Sequence, residues 1–358
     1  MHLVDLGWND YFEKHFERLR HNGHAPARVA REHKELYSVI ADQGELAARV
    51  SGRMRHNATS KSDFPAVGDW VTVEARADEG TATIHALLPR KSQFSRKVAG
   101  FKTEDQVVAA NIDTVFLVCG LEGDFNLRRI ERYLTVAWEG GVRPVVVLNK
   151  ADLCADTEGA VLEVEAIAPG VPVHAVSALD GRGLDAIRSA IGPGTTAALL
   201  GSSGVGKSTL INRLVGSADL RVGEVRPQNG RGRHVTTWRE LVMVPGGGVV
   251  IDTPGMRELQ LWADRGSLDN TFEDIAELAR GCRFSDCRHR TEPGCAVRGA
   301  IEQGSLDEAR LASYLRLERE VAYLAVRKDL RARIREKTVF RQIAKRAREH
   351  KRHDPRRV

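Results

Sequence analysis

Apolar and polar residues between positions 33 and 97 alternate in short runs that favour β-structure. Three runs stand out, and turn-forming residues separate them: Tyr37–Ile40, Leu46–Val50 and Trp70–Val73, with Gly44, Gly68-Asp69 and Asp78-Glu79-Gly80 between and after them. Several short strands in about 65 residues predict a small closed barrel such as an OB-fold. The pattern alone leaves an SH3-like barrel open as the alternative.

The pattern changes between residues 107 and 262, where nearly continuous apolar runs alternate with helical patterns. The candidate strands are Thr114–Val118, Val145–Leu148, Val173–Val176, Ala197–Leu200 and Val249–Ile251. Strands without alternation are typical of parallel sheets that are buried on both faces. This region therefore predicts an α/β domain.

Both ends of the chain read as helical. Residues 1–32 predict a short helical lead, and the chain after residue 263 is helical and carries cysteines. Ser305 and Glu308 have the spacing of a capping box, which predicts a helix containing Leu311, Leu315 and Leu317. We thus expect a multidomain α/β protein with four parts: a lead (1–32), an OB-like barrel (33–97), an α/β domain (98–262) and a helical C-terminal domain (263–358).

A phosphate-binding loop follows the candidate strand Ala197–Leu200 and opens a helix from Lys207 to Leu214, as the G-x-x-x-x-G-K-S motif requires. Its glycines let successive backbone N–H groups face an anion. Lys207 is expected to reach the β- and γ-phosphates, and Ser208 to bind Mg²⁺. The candidate contacts are Gly201, Ser202, Ser203, Gly204, Val205, Gly206, Lys207, Ser208 and Thr209.

The sequence Asn149-Lys150-Ala151-Asp152 follows the candidate strand Val145–Leu148 and fits the guanine-reading N-K-x-D motif. A carboxylate at Asp152 can accept hydrogen bonds from guanine N1–H and the N2 amine, and adenine offers neither donor. Lys150 can lie along the base, and Asn149 can tie this loop to the phosphate loop. Ser177-Ala178, after the next strand, matches the short loop whose backbone N–H contacts guanine O6.

Asp252-Thr253-Pro254-Gly255 ends the candidate strand at Ile251. Asp252 is expected to hold Mg²⁺ through a water molecule, and the Gly255 N–H to sense the γ-phosphate. A Gly- and Arg-rich stretch between Ser217 and Arg239 has the character of a switch segment that the γ-phosphate orders. Within it, Thr236 is the candidate Mg²⁺ ligand.

These motifs stand in a rotated order. In an ordinary GTPase the phosphate loop comes first, whereas here the N-K-x-D motif precedes it. Four motifs at four strand ends make a chance match improbable, so the sequence predicts a circularly permuted P-loop GTPase domain that binds GTP with Mg²⁺.

Four soft ligands lie close together in the C-terminal part: Cys282, Cys287, His289 and Cys295. Three thiolates and one imidazole suit a tetrahedral, structural Zn²⁺ ion, and four protein ligands leave no open position for catalysis. The alternative is three buried cysteines beside a surface histidine. Cys119 and Cys154 read as ordinary core thiols.

Charge is distributed unevenly along the chain. Residues 327–357 contain fourteen Lys or Arg and four acidic residues, so the net charge of this tail is +10. The whole chain has a net charge of +6, so the rest of the chain has a net charge of −4. A basic block suggests a polyanionic partner such as nucleic acid, and a solvated helix face is the alternative. No apolar run is long enough to span a bilayer, and no signal peptide is recognisable, so a cytoplasmic location without membrane contact is expected.

Taken together, the barrel, the permuted motifs and the Cys3His segment resemble the ribosome small-subunit-dependent GTPase family known as RsgA or YjeQ. The shared phrases are Val67-Gly68-Asp69-Trp70-Val71, Ala110-Asn111-Ile112-Asp113, the phosphate loop and Cys282 to Cys295. Val235 departs from the H-T-T run that is frequent in the family. The resemblance implies an OB-fold that contacts ribosomal RNA, a role in late maturation of the small ribosomal subunit, and slow GTP hydrolysis that the subunit stimulates.

Hydrolysis is expected to proceed by in-line attack of water on the γ-phosphate, with Lys207 and Mg²⁺ on Ser208 and Thr236 stabilising the developing charge. Met256 stands after Gly255, where Ras-like enzymes have the glutamine that positions water. His234 is therefore a candidate for that role, and contact of His234 with RNA or solvent is the equal alternative.

We expect a monomer. The rival hypotheses are an RNA-binding assembly scaffold with a structural nucleotide and negligible turnover, and a permuted GTPase of the large subunit.

Overall fold

The computed structural model describes residues 2–21, 23–33, 36–97, 105–216, 239–252 and 265–326. The chain divides into two compact units, Met1–Gln260 and Leu261–Val358. Within the described ranges no helix is both long and apolar enough to cross a membrane.

The first unit begins with a short helical lead and a closed barrel of five strands. A 3-10 turn at Leu3–Leu6 precedes helix α1, Asp10–Leu19. The barrel strands are β1 (His24–His33), β2 (Leu36–Ala41), β3 (Gly44–Val50), β4 (Trp70–Arg76) and β5 (Thr81–Leu87), with the short helix α2 (Gly52–Asn57) between β3 and β4. They follow the order β1-β2-β3-β5-β4, and pairing of β1 with β4 closes the barrel. The five-strand closed order agrees with the OB-like prediction.

Strand β1 corrects the predicted start of the barrel, which lies at His24 rather than at residue 33. Its first half pairs with β4 and its second half with β2, with a bulge between Val29 and Arg31. The sequence hid this strand because its buried positions include Arg28, which is 1% exposed. A charged residue at a buried position breaks the apolar alternation that identifies a strand.

A six-stranded α/β sheet continues from the barrel. Its strands are β8 (Thr114–Gly120), β9 (Arg143–Asn149), β10 (Val173–Ala175), β11 (Thr196–Leu200), β12 (Arg239–Met243) and β13 (Val249–Asp252), and the hairpin β6 (Gln93–Lys97) and β7 (Asp105–Ala110) precedes them. The order is β10-β9-β8-β11-β13-β12, all parallel except β12. The helices are α3 (Leu127–Glu139), α4 (Thr157–Ile167), α5 (Leu184–Ser189) and α6 (Lys207–Val215). All five predicted strands are present, and residues of β8, β9 and β11 share a buried core with α5 and α6.

The barrel and the α/β sheet form one continuous sheet, because β1 pairs with β12. Arg31 of β1 lies opposite Glu240 of β12, and the two side chains form an ion pair at 2.8 Å. The prediction of two separate domains with a boundary at residue 98 therefore misses this shared edge. Both parts belong to one compact unit.

Arg28 is the buried centre of this joint. Its guanidinium donates to the carbonyl oxygens of Leu6, Gly68 (3.2 Å) and Asn111 (3.2 Å), and to Thr196 Oγ1 (2.8 Å). These acceptors belong to the lead, the barrel, the segment before β8 and the start of β11. Burial lowers the pKa of Arg28 to about 10, so the side chain still carries its charge at neutral pH. One side chain thus connects four segments of the unit.

Two of the phrases on which the family resemblance rests meet at this joint. Gly68 has φ +90°, and a Cβ there would lie 2.2 Å from the carbonyl oxygen of Ala110, so only glycine fits. Asn111, itself at φ +54°, donates from Nδ2 to the Gly68 carbonyl at 3.1 Å. The V-G-D-W and A-N-I-D phrases therefore build the contact between barrel and α/β sheet.

The second unit is helical in its described part. Its helices are α7 (Arg265–Thr271), α8 (Glu273–Ala279), α9 (Ala296–Glu302) and α10, which covers residues 308–326. The predicted capping box at Ser305 is wrong, because the Ser305 hydroxyl donates to the Ala300 carbonyl and Asp307 caps α10 by accepting the Ala309 N–H at 3.0 Å. The predicted helix containing Leu311, Leu315 and Leu317 is present as α10, and Leu311 and Leu317 are buried.

Replacing Arg28 with alanine should destabilise the whole first unit. The change leaves buried carbonyl oxygens without their donor, which costs about 3 kcal/mol or more of unfolding free energy. Urea unfolding followed by circular dichroism measures this loss. Arg76→Ala, which removes an arginine from an exposed pair with Glu79, is the control and should stay within about 0.5 kcal/mol of wild type. Equal urea midpoints for Arg28→Ala and wild type would contradict the conclusion that Arg28 stabilises the first unit.

Candidate functional site

The predicted phosphate loop lies between the carboxyl end of β11 and the start of α6. Gly206 has φ +95° and caps α6, and a Cβ there would lie 2.3 Å from Asn149 Nδ2. A Cβ at Gly201 would lie 2.2 Å from the Val118 carbonyl oxygen. Val205 is buried in the core, whereas Ser203, Gly204, Ser208 and Thr209 are exposed. The loop is thus anchored at three points and open at the residues that would face an anion.

Lys207 folds back over the loop. Its Nζ donates to the carbonyl oxygens of Gly201 (2.7 Å) and Ser202 (2.6 Å). The ammonium group therefore already lies across the loop, where phosphate oxygens would compete for it. It also lies at the N-terminal end of α6, where the helix dipole favours negative charge.

Asn149 connects two loops of the site. Its buried side chain donates from Nδ2 to the Val205 carbonyl at 2.8 Å and accepts the Ala178 N–H on Oδ1 at 3.0 Å. The expected tie to the phosphate loop is therefore present, and a second tie reaches the Ser177-Ala178 loop. Asn149 fixes the three predicted motifs relative to one another.

Lys150 and Asp152 lie next along the chain. Lys150 adopts a left-handed conformation with φ +65°, and its Nζ lies 3.3 Å from Glu122 Oε2. Asp152 lies in a 3-10 turn, Ala151–Leu153, and is half-buried. The turn is tied to the next loop, because the Ala151 N–H donates to the Val176 carbonyl at 3.0 Å. Asp152 is thus held at the carboxyl edge of the sheet.

The Ser177-Ala178 loop is buried and held by an arginine that the motifs do not include. Arg213 of α6 donates to the carbonyl oxygens of Ala178 (3.1 Å) and Leu179. The helix that begins at the phosphate loop therefore also supports the loop expected to contact guanine. Arg213 has the spacing of an ordinary helix residue, and no sequence signal marks it.

Asp252 is the last residue of β13 and is half-buried. Three further predicted site residues, His234, Thr236 and Gly255, lie outside the described residues.

The four predicted metal ligands converge in the second unit. The ligand atoms of Cys282, Cys287, His289 and Cys295 all lie within 4.8 Å of one another. The sulfur atoms of Cys282 and Cys295 are 3.9 Å apart, and His289 Nδ1 lies 3.6 and 3.5 Å from them. Zn–S bonds of about 2.3 Å at tetrahedral angles separate two sulfurs by ~3.8 Å. The donor set and its spacing therefore fit Zn²⁺.

Backbone geometry supports this cluster. His289 is buried and has φ +57°, and Cys295 caps α9 by accepting the Arg298 N–H. Burial opposes the Cys282 thiolate, but hydrogen bonds from the Val297 and Ala296 N–H groups outweigh it and lower the Cys282 pKa. An accessible thiolate is the form that binds metal.

Cys119 and Cys154 lie outside the cluster. Cys119 is fully buried in β8, and burial raises the pKa of its thiol to about 12. Such a thiol is unreactive at neutral pH. Cys154 is half-buried.

Two family models match this chain. The model described as RsgA GTPase matches residues 87–262, which span the α/β sheet and its motifs. The model described as 50S ribosome-binding GTPase matches residues 196–345.

Curated relatives match over almost the whole chain. Small ribosomal subunit biogenesis GTPase RsgA of Opitutus terrae is 50% identical over 92% of this chain and 92% of its own. The protein of the same name from Syntrophotalea carbinolica is 44% identical over 98% of this chain and 99% of its own.

Solved structures show the same fold. YjeQ from Thermotoga maritima matches with a TM-score of 0.64 and 28% identity over 84% of this chain and 99% of its own. YloQ, described as a circularly permuted GTPase, matches with a TM-score of 0.61 and 24% identity over 85% and 98%. The second likeness supports the permuted fold alone.

Replacing Cys287 with alanine should abolish zinc binding, because a tetrahedral site with three protein ligands loses much of its affinity. Elemental analysis of the purified protein measures zinc per chain, with Cys154→Ala as the matched control that should keep the wild-type content. Nucleotide binding should survive in the variant, since the phosphate loop belongs to the other unit. Full zinc content in Cys287→Ala would refute the ligand assignment.

Proposed function

The chain belongs to the RsgA family of GTPases, and from that premise we propose that it acts in late maturation of the small ribosomal subunit, which stimulates its GTP hydrolysis. It is a GTP hydrolase of ribosome biogenesis. The observation that carries the proposal is the assembled nucleotide site, in which Asn149 joins the phosphate loop to both guanine-reading segments.

The phosphate loop would bind the β- and γ-phosphates through its backbone N–H groups and Lys207. For this, Lys207 exchanges the Gly201 and Ser202 carbonyls for phosphate oxygens. Ser208 and Thr236 would ligate Mg²⁺, and Asp252 would hold it through water. The Mg²⁺ ion supplies neutralisation of the charge that develops on the transferred phosphoryl group.

Guanine selection is assigned to Asp152, supported by the Ser177-Ala178 loop. Because Ala178 already donates its N–H to Asn149, guanine O6 would share this donor or take a neighbouring N–H of the loop. Asp152 therefore carries the discrimination against adenine, through its two acceptor oxygens.

The four nucleotide motifs assign no residue that would position the attacking water. Met256 cannot orient water, so this role falls to His234 or to the bound subunit, with the Gly255 N–H sensing the γ-phosphate. A rate that depends on the subunit is the expected consequence of an incomplete intrinsic site.

The remaining parts would bind the subunit. The barrel and the basic tail would contact RNA. Zinc bound by the Cys3His cluster would stabilise the fold of the second unit. The protein would act as a monomer in the cytoplasm, where GTP and ribosomal subunits are available. The 50S ribosome-binding family model over residues 196–345 favours the large subunit as the second candidate partner.

Asp152→Asn should weaken GTP binding by roughly a hundredfold, because one acceptor becomes a donor that faces the guanine N1–H or amine. Xanthosine triphosphate, whose base carries an oxygen in place of the amine, should gain relative affinity. Titration with fluorescent nucleotides measures both. The control is Asp185→Asn, the same change at an exposed carboxylate of α5, which should leave both affinities unchanged. Unchanged GTP affinity in Asp152→Asn would remove the assignment.

Phosphate release from GTP should rise by at least tenfold when purified small subunits are added, because a supplied catalytic group is typically worth more than that. Large subunits serve as the parallel arm, and Lys207→Ala as the inactive control. A rise only with large subunits would favour the second candidate partner. No rise with either subunit would favour an assembly scaffold with a structural nucleotide.

A further inference from the structure

A polar network outside the four nucleotide motifs contacts the phosphate loop. Arg129 lies in the first turn of α3, and its Nη1 donates to Ser202 Oγ at 2.7 Å and to Asp124 Oδ1. One turn further along α3, the Tyr133 hydroxyl lies 3.5 Å from the same Ser202 oxygen. Ser202 is the second residue of the loop, so α3 holds the loop by a side chain.

The arginine itself is firmly placed. Asn126 caps α3 by accepting the Arg129 N–H at 3.1 Å, which fixes the start of the helix. The bond to Asp124 raises the pKa of Arg129, so its charge is constant. The Asp124 side chain is 23% exposed, and its other oxygen, Oδ2, is buried without a partner in the described part of the chain. That carboxylate therefore depends on Arg129 for its neutralisation.

Ser202 is held from two sides. Its side chain accepts from Arg129, and its carbonyl oxygen accepts from Lys207 Nζ at 2.6 Å. When Lys207 turns to phosphate oxygens, the carbonyl bond is lost, and the contacts of the Ser202 side chain with Arg129 (2.7 Å) and Tyr133 (3.5 Å) remain. The Arg129 bond is the shorter of the two and the one that carries a charge. The loop would bind phosphate through backbone N–H groups that point in one direction. Restraint of one peptide therefore restrains this whole set of N–H groups.

We propose that Arg129 is a positioning residue of the phosphate loop: held by Asp124, it fixes Ser202 and keeps the loop amides arranged for the phosphate that GDP and GTP share. The proposal rests on the nucleotide site assigned under Proposed function. A loop arranged in advance binds both nucleotides more tightly. A gain that bound GTP and the transition state share equally leaves the chemical step unchanged.

Arg129→Ala should therefore weaken GDP and GTP by the same factor, about tenfold, as expected for loss of one charge-assisted hydrogen bond. In the GTPase assay the loss should fall on KM and leave kcat within about twofold of wild type. Arg129→Lys should lose less, because an ammonium group can still reach one of the two acceptors. Arg76→Ala on the barrel is the charge-matched control.

Ser202→Ala gives an independent test that leaves the Arg129–Asp124 pair in place. It should weaken both nucleotides in the same proportion, and the variant with both changes should bind no more weakly than Arg129→Ala alone, because the shared bond is already lost. Circular dichroism checks that each variant is folded, and Ser202→Ala carries the test if Arg129→Ala is not.

Three outcomes would overturn the proposal. Unchanged Kd values in folded variants would mean that the contact does not support the loop. A fall in kcat at unchanged Kd would make Arg129 a group that acts on the reacting phosphate. Fully additive losses in the double variant would mean that the two residues act separately. Failure of the wild-type protein to bind guanine nucleotides would instead refute the proposed nucleotide site.

Discussion

The structure of the first unit depends on keeping one buried arginine satisfied. Arg28 carries a charge into a site that is 1% exposed, and burying a charge without partners is prohibitively costly. Its hydrogen bonds to Leu6, Gly68, Asn111 and Thr196 offset that cost only when all four segments are in place. The arginine therefore couples the lead, the barrel and the strand that carries the phosphate loop, and it does so where β1 joins the α/β sheet through β12.

Two chains of contacts lead from this joint to the phosphate loop. Strand β8, the first strand of the α/β sheet along the chain, pairs with β11, and helix α3 after β8 supplies Arg129 to Ser202. Arg28 contacts Thr196 at the start of β11, and Ser202 follows the end of the same strand. Contacts thus connect the barrel to the phosphate loop through β11 directly and through β8 and α3. The stimulation by the small subunit that we propose would use this short route.

Much of the fold and the site was predictable because the relevant signals are local. Parallel strands appear as apolar runs, and the phosphate loop and the Cys3His set are recognisable by residue type and spacing. The features that sequence reasoning missed depend on tertiary contacts. Arg28 reads as a polar residue and hid β1, and Gly68 and Asn111 reveal their role only when the barrel meets the sheet. Arg213 and Arg129 support the site from helix positions that carry no signature, since only the folded chain brings them to the loops.

Because Arg28 joins four segments of the first unit, we expect the barrel and the nucleotide domain to open as one cooperative unit. Hydrogen–deuterium exchange by mass spectrometry tests it, with peptides from β3 to β5 and from β8 and β9 compared with and without saturating GDP. Ligand binding stabilises every amide whose opening requires the site to unfold. GDP should slow exchange in the barrel strands and in the α/β strands by the same factor. Slower exchange in the α/β strands alone, with the barrel unchanged, would contradict it.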